Sequence, residues 1–158
     1  MRDAYIACVS QSRNRFFFDT LGLPDTLDGR FESLVLHLFL LQQRLRQEAP
    51  DFARQLSEVF LQDMEIALRE MGIADSGVMR RMKQMGRAYH GRLQAYATTD
   101  DEALKGALAR NFYGTVAEGS PAHLTIMANY VRAQEAALAA TPADTITGTG
   151  YAWLPAAA

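Results

Sequence analysis

The stretch Leu34-Val-Leu-His-Leu-Phe-Leu-Leu41 constrains the fold of this chain more than any other, being apolar at every position except His37. Glu32 and Arg44 bound it, and a bilayer crossing needs about 20 apolar residues, so it is too short to span a membrane. Over Arg30 to Gln47 the spacing predicts a helix. At about 100° per residue, Phe31, Leu34, Val35, Leu38, Leu41 and Leu45 share one face. Leu36 and Leu40 point nearly the opposite way. A surface helix carries one apolar stripe. With two, this helix is either enclosed by the rest of the chain or half-covered by a partner.

Helix signals recur elsewhere and strand signals hardly appear. A first helix is expected from Ala4 to Asp19, ending before the Gly- and Pro-punctuated turn Leu21 to Gly29. Asp25 and Asp28 sit where the next helix begins, favourable against its positive end. After Pro50, the spacing of Phe52, Leu56, Val59, Phe60, Met64 and Leu68 predicts a helix over Asp51–Met71, with Gly72 as a left-handed cap. Asp75 or Ser76 then caps a helix to about Ala97, its inner stripe formed by Val78, Met82, Met85, Tyr89, Leu93 and Tyr96. Thr99 and Glu102 have capping-box spacing for a shorter helix through Phe112. Ser120-Pro121 starts another, reaching about Ala140 before Pro142. The expectation is an all-α single compact domain of about five to seven helices over residues 1–142. Residues 143–158 are expected as an extended C-terminal tail that packs Tyr151 and Trp153 against the body. At 158 residues there is room for one such domain.

Sixteen Lys and Arg against 18 Asp and Glu give a net charge of −2, which excludes a globally basic nucleic-acid binder and argues against DNA as a partner. The one cysteine, Cys8, excludes an internal disulfide framework and a multi-thiolate zinc site. No signal-peptide-like apolar run stands near Met1, so the expected location is cytoplasmic, peripheral to a membrane at most. His37, His90 and His123 lie on different helices in no metal-ligand pairing, and surface or core-edge positions are expected for them. No Gly-x-Ser-x-Gly occurs, and Gly148-Thr-Gly150 precedes no helix pattern as a phosphate loop would. Asp25 and Asp28 lack the further ligands of a calcium loop, because Leu27 and Phe31 occupy those positions. No catalytic, cofactor-binding or metal-binding residue is assigned, and no enzyme is expected.

Two features rise above this background. Between Asp75 and Asp100 there is no acid, while Arg80, Arg81, Lys83, Arg87 and Arg92 are all cations. Arg80, Lys83 and Arg87 share one face. Either they form a solvated face paired partly with the acidic preceding helix, or they meet an anionic partner such as ribosomal RNA or lipid headgroups. Met64, Met71, Met79, Met82 and Met85 crowd the same two helices. Methionine is an adaptable core filler, but Met79 points away from the inner stripe, and promiscuous apolar grooves also use it.

The run Leu21-Gly-Leu-Pro-Asp-Thr-Leu-Asp-Gly-Arg-Phe31, followed by Leu36-His37 and Leu45, resembles the ubiquinol–cytochrome c chaperone family. The resemblance continues through Phe60, Asp63-Met-Glu65, Leu68-Arg-Glu-Met-Gly72, Val78, Met82-Lys83, Gly91-Arg92 and Tyr96. The short N-terminus makes the chain resemble a bacterial member. The resemblance implies a non-enzymatic assembly chaperone that holds newly made cytochrome b for the ubiquinol–cytochrome c reductase complex, with no cofactor. It carries no catalytic residues. Leu23, Pro24, Asp25, Asp28, Gly29, Arg30 and Phe31 are the motif residues, and a turn with a helix cap is their structural alternative. A client groove is expected at Leu36 and Leu40, a pliable apolar groove for partner helices is the sharper reading of Met79, and a ribosome or anionic membrane contact is expected at Arg80, Lys83 and Arg87. Two further readings stay open: a ribosome- or RNA-binding helical module, and a haem or small-ligand bundle using His37, His90 or His123.

Overall fold

The computed structural model describes residues 1–114 and 119–156. Its axis is α2 (Leu27–Leu45), packed against α1 (Arg2–Ser12), α3 (Pro50–Glu70), α4 (Asp75–Tyr96) and α6 (Pro121–Ala140). A short α5 (Asp101–Ala107) winds directly into a wider π turn, Leu108–Tyr113, that also packs on α2. Last comes α7 (Ala143–Gly148), followed by an extended segment to Ala156. Among the described residues the fold is all-α, as its periodicity predicts. Of the two options for α2, enclosure holds: every residue from Glu32 to Leu41 is buried.

The departures from expectation have local causes. The first helix does not run to Asp19; it ends at Ser12, and a π turn follows over Phe16–Thr20. Asn14 Oδ1 accepts the Phe16 amide at 3.0 Å, diverting a backbone donor from the helix ladder. The wider turn buries both Phe16 and Phe17. Helix α2 is capped by Thr26, whose Oγ1 accepts from the Gly29 amide at 3.2 Å, rather than by its flanking aspartates. Asp100, not Thr99, caps α5, its Oδ1 taking the Ala103 amide at 2.6 Å. No side chain caps α4; Asp75 lies in its first turn and pairs instead with Arg69 of α3. Residues 143–148 are helical, because the Pro142 carbonyl accepts from the amides of Thr145 and Ile146 and buried Ile146 anchors the turn. The Gly72 cap (φ +76°) and the Ser120 cap on His123 form as expected.

Enclosing α2 obliges every polar group on it to find a partner inside the protein. Ser33 Oγ donates to the Ser12 carbonyl at the end of α1 (2.8 Å). Gln42 donates to Tyr89 Oη of α4 (2.6 Å) and bonds Ser57 of α3, joining three helices at one node. Arg44 donates to the Leu138 and Thr141 carbonyls, both at 2.9 Å, neutralising the negative end of α6. Glu32 takes both bonds of a two-point pair from Arg92 of α4, at 2.7 and 2.5 Å. Burial outweighs that pair at the carboxyl, holding Glu32 above the usual carboxylate range, while the same pair raises the Arg92 guanidinium.

His37 is fully buried, not at a surface or core edge, and it organises the far end of the chain. Its Nδ1 lies 2.7 Å from the Ser33 carbonyl, which only accepts, so Nδ1 carries the proton. Nε2 therefore accepts from Tyr130 Oη at 2.8 Å, and Tyr130 in turn accepts from Gln11 of α1 at 3.0 Å. The Trp153 ring meets the imidazole edge-on at a centroid distance of 5.0 Å. Gln11 and Gln134 both donate to the Leu154 carbonyl, at 3.1 and 2.9 Å, fastening the tail expected to pack through Tyr151 and Trp153.

Burial removes the solvation of an imidazolium, so His37 titrates at about 4 rather than at 6.5, the Ser33 carbonyl offsetting only part of the shift. Between those values the unfolded chain binds a proton that the folded chain refuses. Stability therefore falls as pH drops through that window, by up to about 3 kcal/mol from this group. Glu32, with its raised carboxyl, contributes in the opposite sense, so the informative quantity is the difference between parent and variant. Urea unfolding of His37→Gln from pH 7 to pH 4 should show a smaller acid loss than the parent. Equal losses would contradict a neutral buried imidazole.

Candidate functional site

The groove expected at Leu36 and Leu40 does not exist on this surface. Leu36 is 0% and Leu40 1% exposed, because α1, α3, α4 and α6 enclose α2 between them. Both leucines are core.

The motif residues build a corner rather than a pocket. Leu21 and Leu23 are buried, and Gly22 between them takes the left-handed conformation (φ +73°) that turns the chain. The Leu21 carbonyl accepts from Tyr113 Oη at 2.9 Å, and the Leu23 amide donates to the Phe17 carbonyl at 3.0 Å. Pro24 lays its carbonyl against the α carbon of Gly29 so closely that any Cβ there would collide with it. Asp25 and Arg30 form an exposed ion pair at 2.6 Å that holds the Asp25 carboxyl below its ordinary range. Asp28 is exposed in the first turn, and Phe31 packs on Phe60 beneath the Arg92 guanidinium. The outward side of the corner is an open hollow of about 400 Å³ lined by Arg13, Arg15, Phe18, Asp19, Asp25 and Arg30.

Besides this hollow, two further surfaces among the described residues stand open to a partner. On α4, Met79 is 74% exposed, and Arg80, Arg81, Lys83 and Arg87 are exposed with no ion pair among the described residues. The expected neutralisation by α3 is not realised. Asp51 and Glu58 pair with Arg54, Glu65 pairs with Arg69, and Asp63 accepts from Tyr5 Oη at 2.8 Å. Arg92 alone of the five cations is engaged, through Glu32. Met64, Met82 and Met85 are half-buried fillers, as methionine's usual habit suggests, whereas Met71 is exposed.

The second surface escaped the periodicity. Met1, Ile6 and Val9 of the N-terminal segment and Val59 and Ile66 of α3 line an open groove of about 490 Å³, with Tyr5 and Asp63 joined along it. Ile6 and Ile66 are each 54% exposed. The available signal was that Ile66 falls off the inner stripe of α3. Pairing it with Ile6 required knowing that α1 lies beside α3.

No group of three or more His, Cys, Asp or Glu able to hold a metal occurs among the described residues. His37 has both ring nitrogens committed, so it offers no axial position to haem. His90 is exposed and His123 half-buried on other helices. Cys8 is fully buried, and burial pushes its thiol well above the ordinary value, away from the reactive thiolate.

A sequence model of the ubiquinol-cytochrome C chaperone family matches residues 19–153, from the first π turn through Trp153. The chain belongs to that family. Members and neighbours bear out the assignment. The ubiquinol-cytochrome c reductase complex assembly factor 1 of Homo sapiens is 27% identical over 96% of this chain, and CBP3 of Saccharomyces cerevisiae is 27% identical over 76%. The crystal structure of the Cbp3 homolog from Brucella abortus superposes with a TM-score of 0.84 at 31% identity, covering 97% of this chain and 87% of that one. The chain spans about half the length of the human and mouse relatives. Within the family span fall the Leu21–Phe31 corner, the α4 face and the α3 wall of the groove; α1 precedes it.

If Leu36 and Leu40 are core, truncating either to alanine should lower stability by about 2–5 kcal/mol. Thermal unfolding followed by circular dichroism measures this directly. A variant that melts like the parent would reopen the helix as a binding face.

Proposed function

We propose that this chain is an assembly chaperone of the ubiquinol–cytochrome c reductase complex that holds newly made cytochrome b and makes or breaks no covalent bond. The match to the ubiquinol-cytochrome C chaperone family across the body of the fold carries this reading. The named assembly-factor relatives and the Cbp3 homolog structure agree with it. A membrane-protein client presents apolar helices that water would otherwise aggregate, so its holder needs accessible apolar surface more than side-chain specificity. The α1–α3 groove supplies such surface, with Ile6 and Ile66 standing proud of the body. The reading without catalysis is supported by Cys8, the one thiol of the chain, and His37 being sealed in the core. No helix among the described residues is long and apolar enough to cross a membrane, so in this reading client and chaperone meet at the bilayer surface.

The experiment is complementation. A strain lacking this gene should accumulate little assembled ubiquinol–cytochrome c reductase, and the parent gene should restore it. A double variant, Ile6→Asp with Ile66→Asp, should restore markedly less and recover less crosslinked cytochrome b. Its melting temperature should stay near the parent's, since both sites face solvent. Full reductase assembly without the gene would end the proposal. Full rescue by the double variant would move the client off this groove.

A further inference from the structure

Four cations on α4 have no ion pair among the described residues, and this sets them apart from eight of the other twelve basic side chains of the chain. Arg15, Arg30, Arg44, Arg54, Arg69, Arg92, Lys105 and Arg132 all hold carboxylates. Arg80, Lys83 and Arg87 recur at spacings of three and four, so they stand in a row on one side of α4, with Arg81 about 100° round the helix from Arg80. The rest of that outward side, Ser76, Gln84, His90 and Gln94, is exposed and carries no acid. Met79, beside the row, exposes an unbranched apolar side chain, and Met71 is exposed where α3 ends just before α4.

We infer that this face of α4 is a docking surface for an anionic lipid bilayer, with the cations over the headgroups and Met79 entering the interface. The charge is complementary to an anionic leaflet, which attracts each Lys or Arg near its surface by about fivefold in partitioning. An apolar side chain held out among cations suits a boundary where headgroups give way to acyl chains. RNA fits less well. Single-stranded bases are captured by stacking on exposed aromatic rings, and the large exposed apolar residues are Ile, Leu and Met. The inference deepens the assembly-chaperone reading, on which it rests for its purpose, by placing the chaperone where a membrane client emerges.

The test uses the purified full chain and no client. It is sedimented with vesicles of phosphatidylcholine alone and with vesicles of equal parts phosphatidylcholine and phosphatidylglycerol. The chain should bind the anionic vesicles only, and added salt should weaken binding. The triple variant Arg80→Gln, Lys83→Gln, Arg87→Gln should bind on the order of 100-fold more weakly. Met79→Asp should also weaken binding and Met79→Leu should not. Arg54→Gln, at a cation already paired on α3, serves as the control and should bind like the parent. Circular dichroism melts confirm that each variant is folded. Equal binding to both vesicle types, no binding to either, or an unchanged triple variant would overturn the inference. Tighter binding to ribosomal RNA than to anionic vesicles, lost in the triple variant, would overturn it in favour of an RNA surface. Because no cytochrome b is present, failure here leaves the complementation result standing, and failed complementation leaves this result standing.

Discussion

A helix with no side left for solvent governs this molecule. Leucines on opposite faces of α2 can be buried only by surrounding it, and surrounding it buries Glu32, Ser33 and His37 as well. Burying such groups is costly unless each is matched, and the matching decides which neighbours sit where. Ser33 fixes the end of α1, Glu32 holds α4 through Arg92, and His37 holds α6 through Tyr130. The buried ion pair is better regarded as an orienting contact than as a source of stability, since desolvation offsets much of its attraction. Apolar packing supplies most of the driving force, and the polar contacts select one arrangement of helices.

With the interior committed in this way, recognition falls to the outside. The two open surfaces differ in chemistry. The α1–α3 groove is mostly apolar, with Arg2, Gln62 and the Tyr5–Asp63 bond along it, whereas the α4 face is cationic with a single projecting methionine. A holder of membrane-protein segments needs one surface for the greasy client and gains from another that keeps it near the bilayer. The motif corner at Leu21–Phe31 serves both indirectly. Its Pro24–Gly29 contact and Thr26 cap fix the start of α2, against which the neighbouring helices are set.

Much of the fold was legible because helical periodicity is local. The stripes of α3 and α4, the Gly72 cap and the Ser120-Pro121 start each depend on residues within a few positions of one another. The misplacements were competitions between adjacent capping candidates, Thr99 against Asp100 and the aspartates against Thr26, which spacing alone does not rank. The break in α1 turned on one Asn14 side chain. The site was harder to read. That Leu36 and Leu40 are covered depends on helices distant in sequence, as does the pairing of Ile6 with Ile66. The cationic row of α4 was visible, but its lack of partners became evident only when Asp51, Glu58, Asp63 and Glu65 of α3 proved to be engaged elsewhere, and Glu70 formed no pair with it among the described residues.

Native-state hydrogen exchange tests the enclosed helix most directly. The account predicts that amides from Glu32 to Leu41 exchange only through global unfolding, more slowly than those of α1, α3 or α4. It also predicts that this protection is unchanged when a client is bound, since recognition occurs on the exterior. Exchange of these amides through a local opening, or loss of their protection on client binding, would mean that α2 is a concealed binding face and would contradict the account.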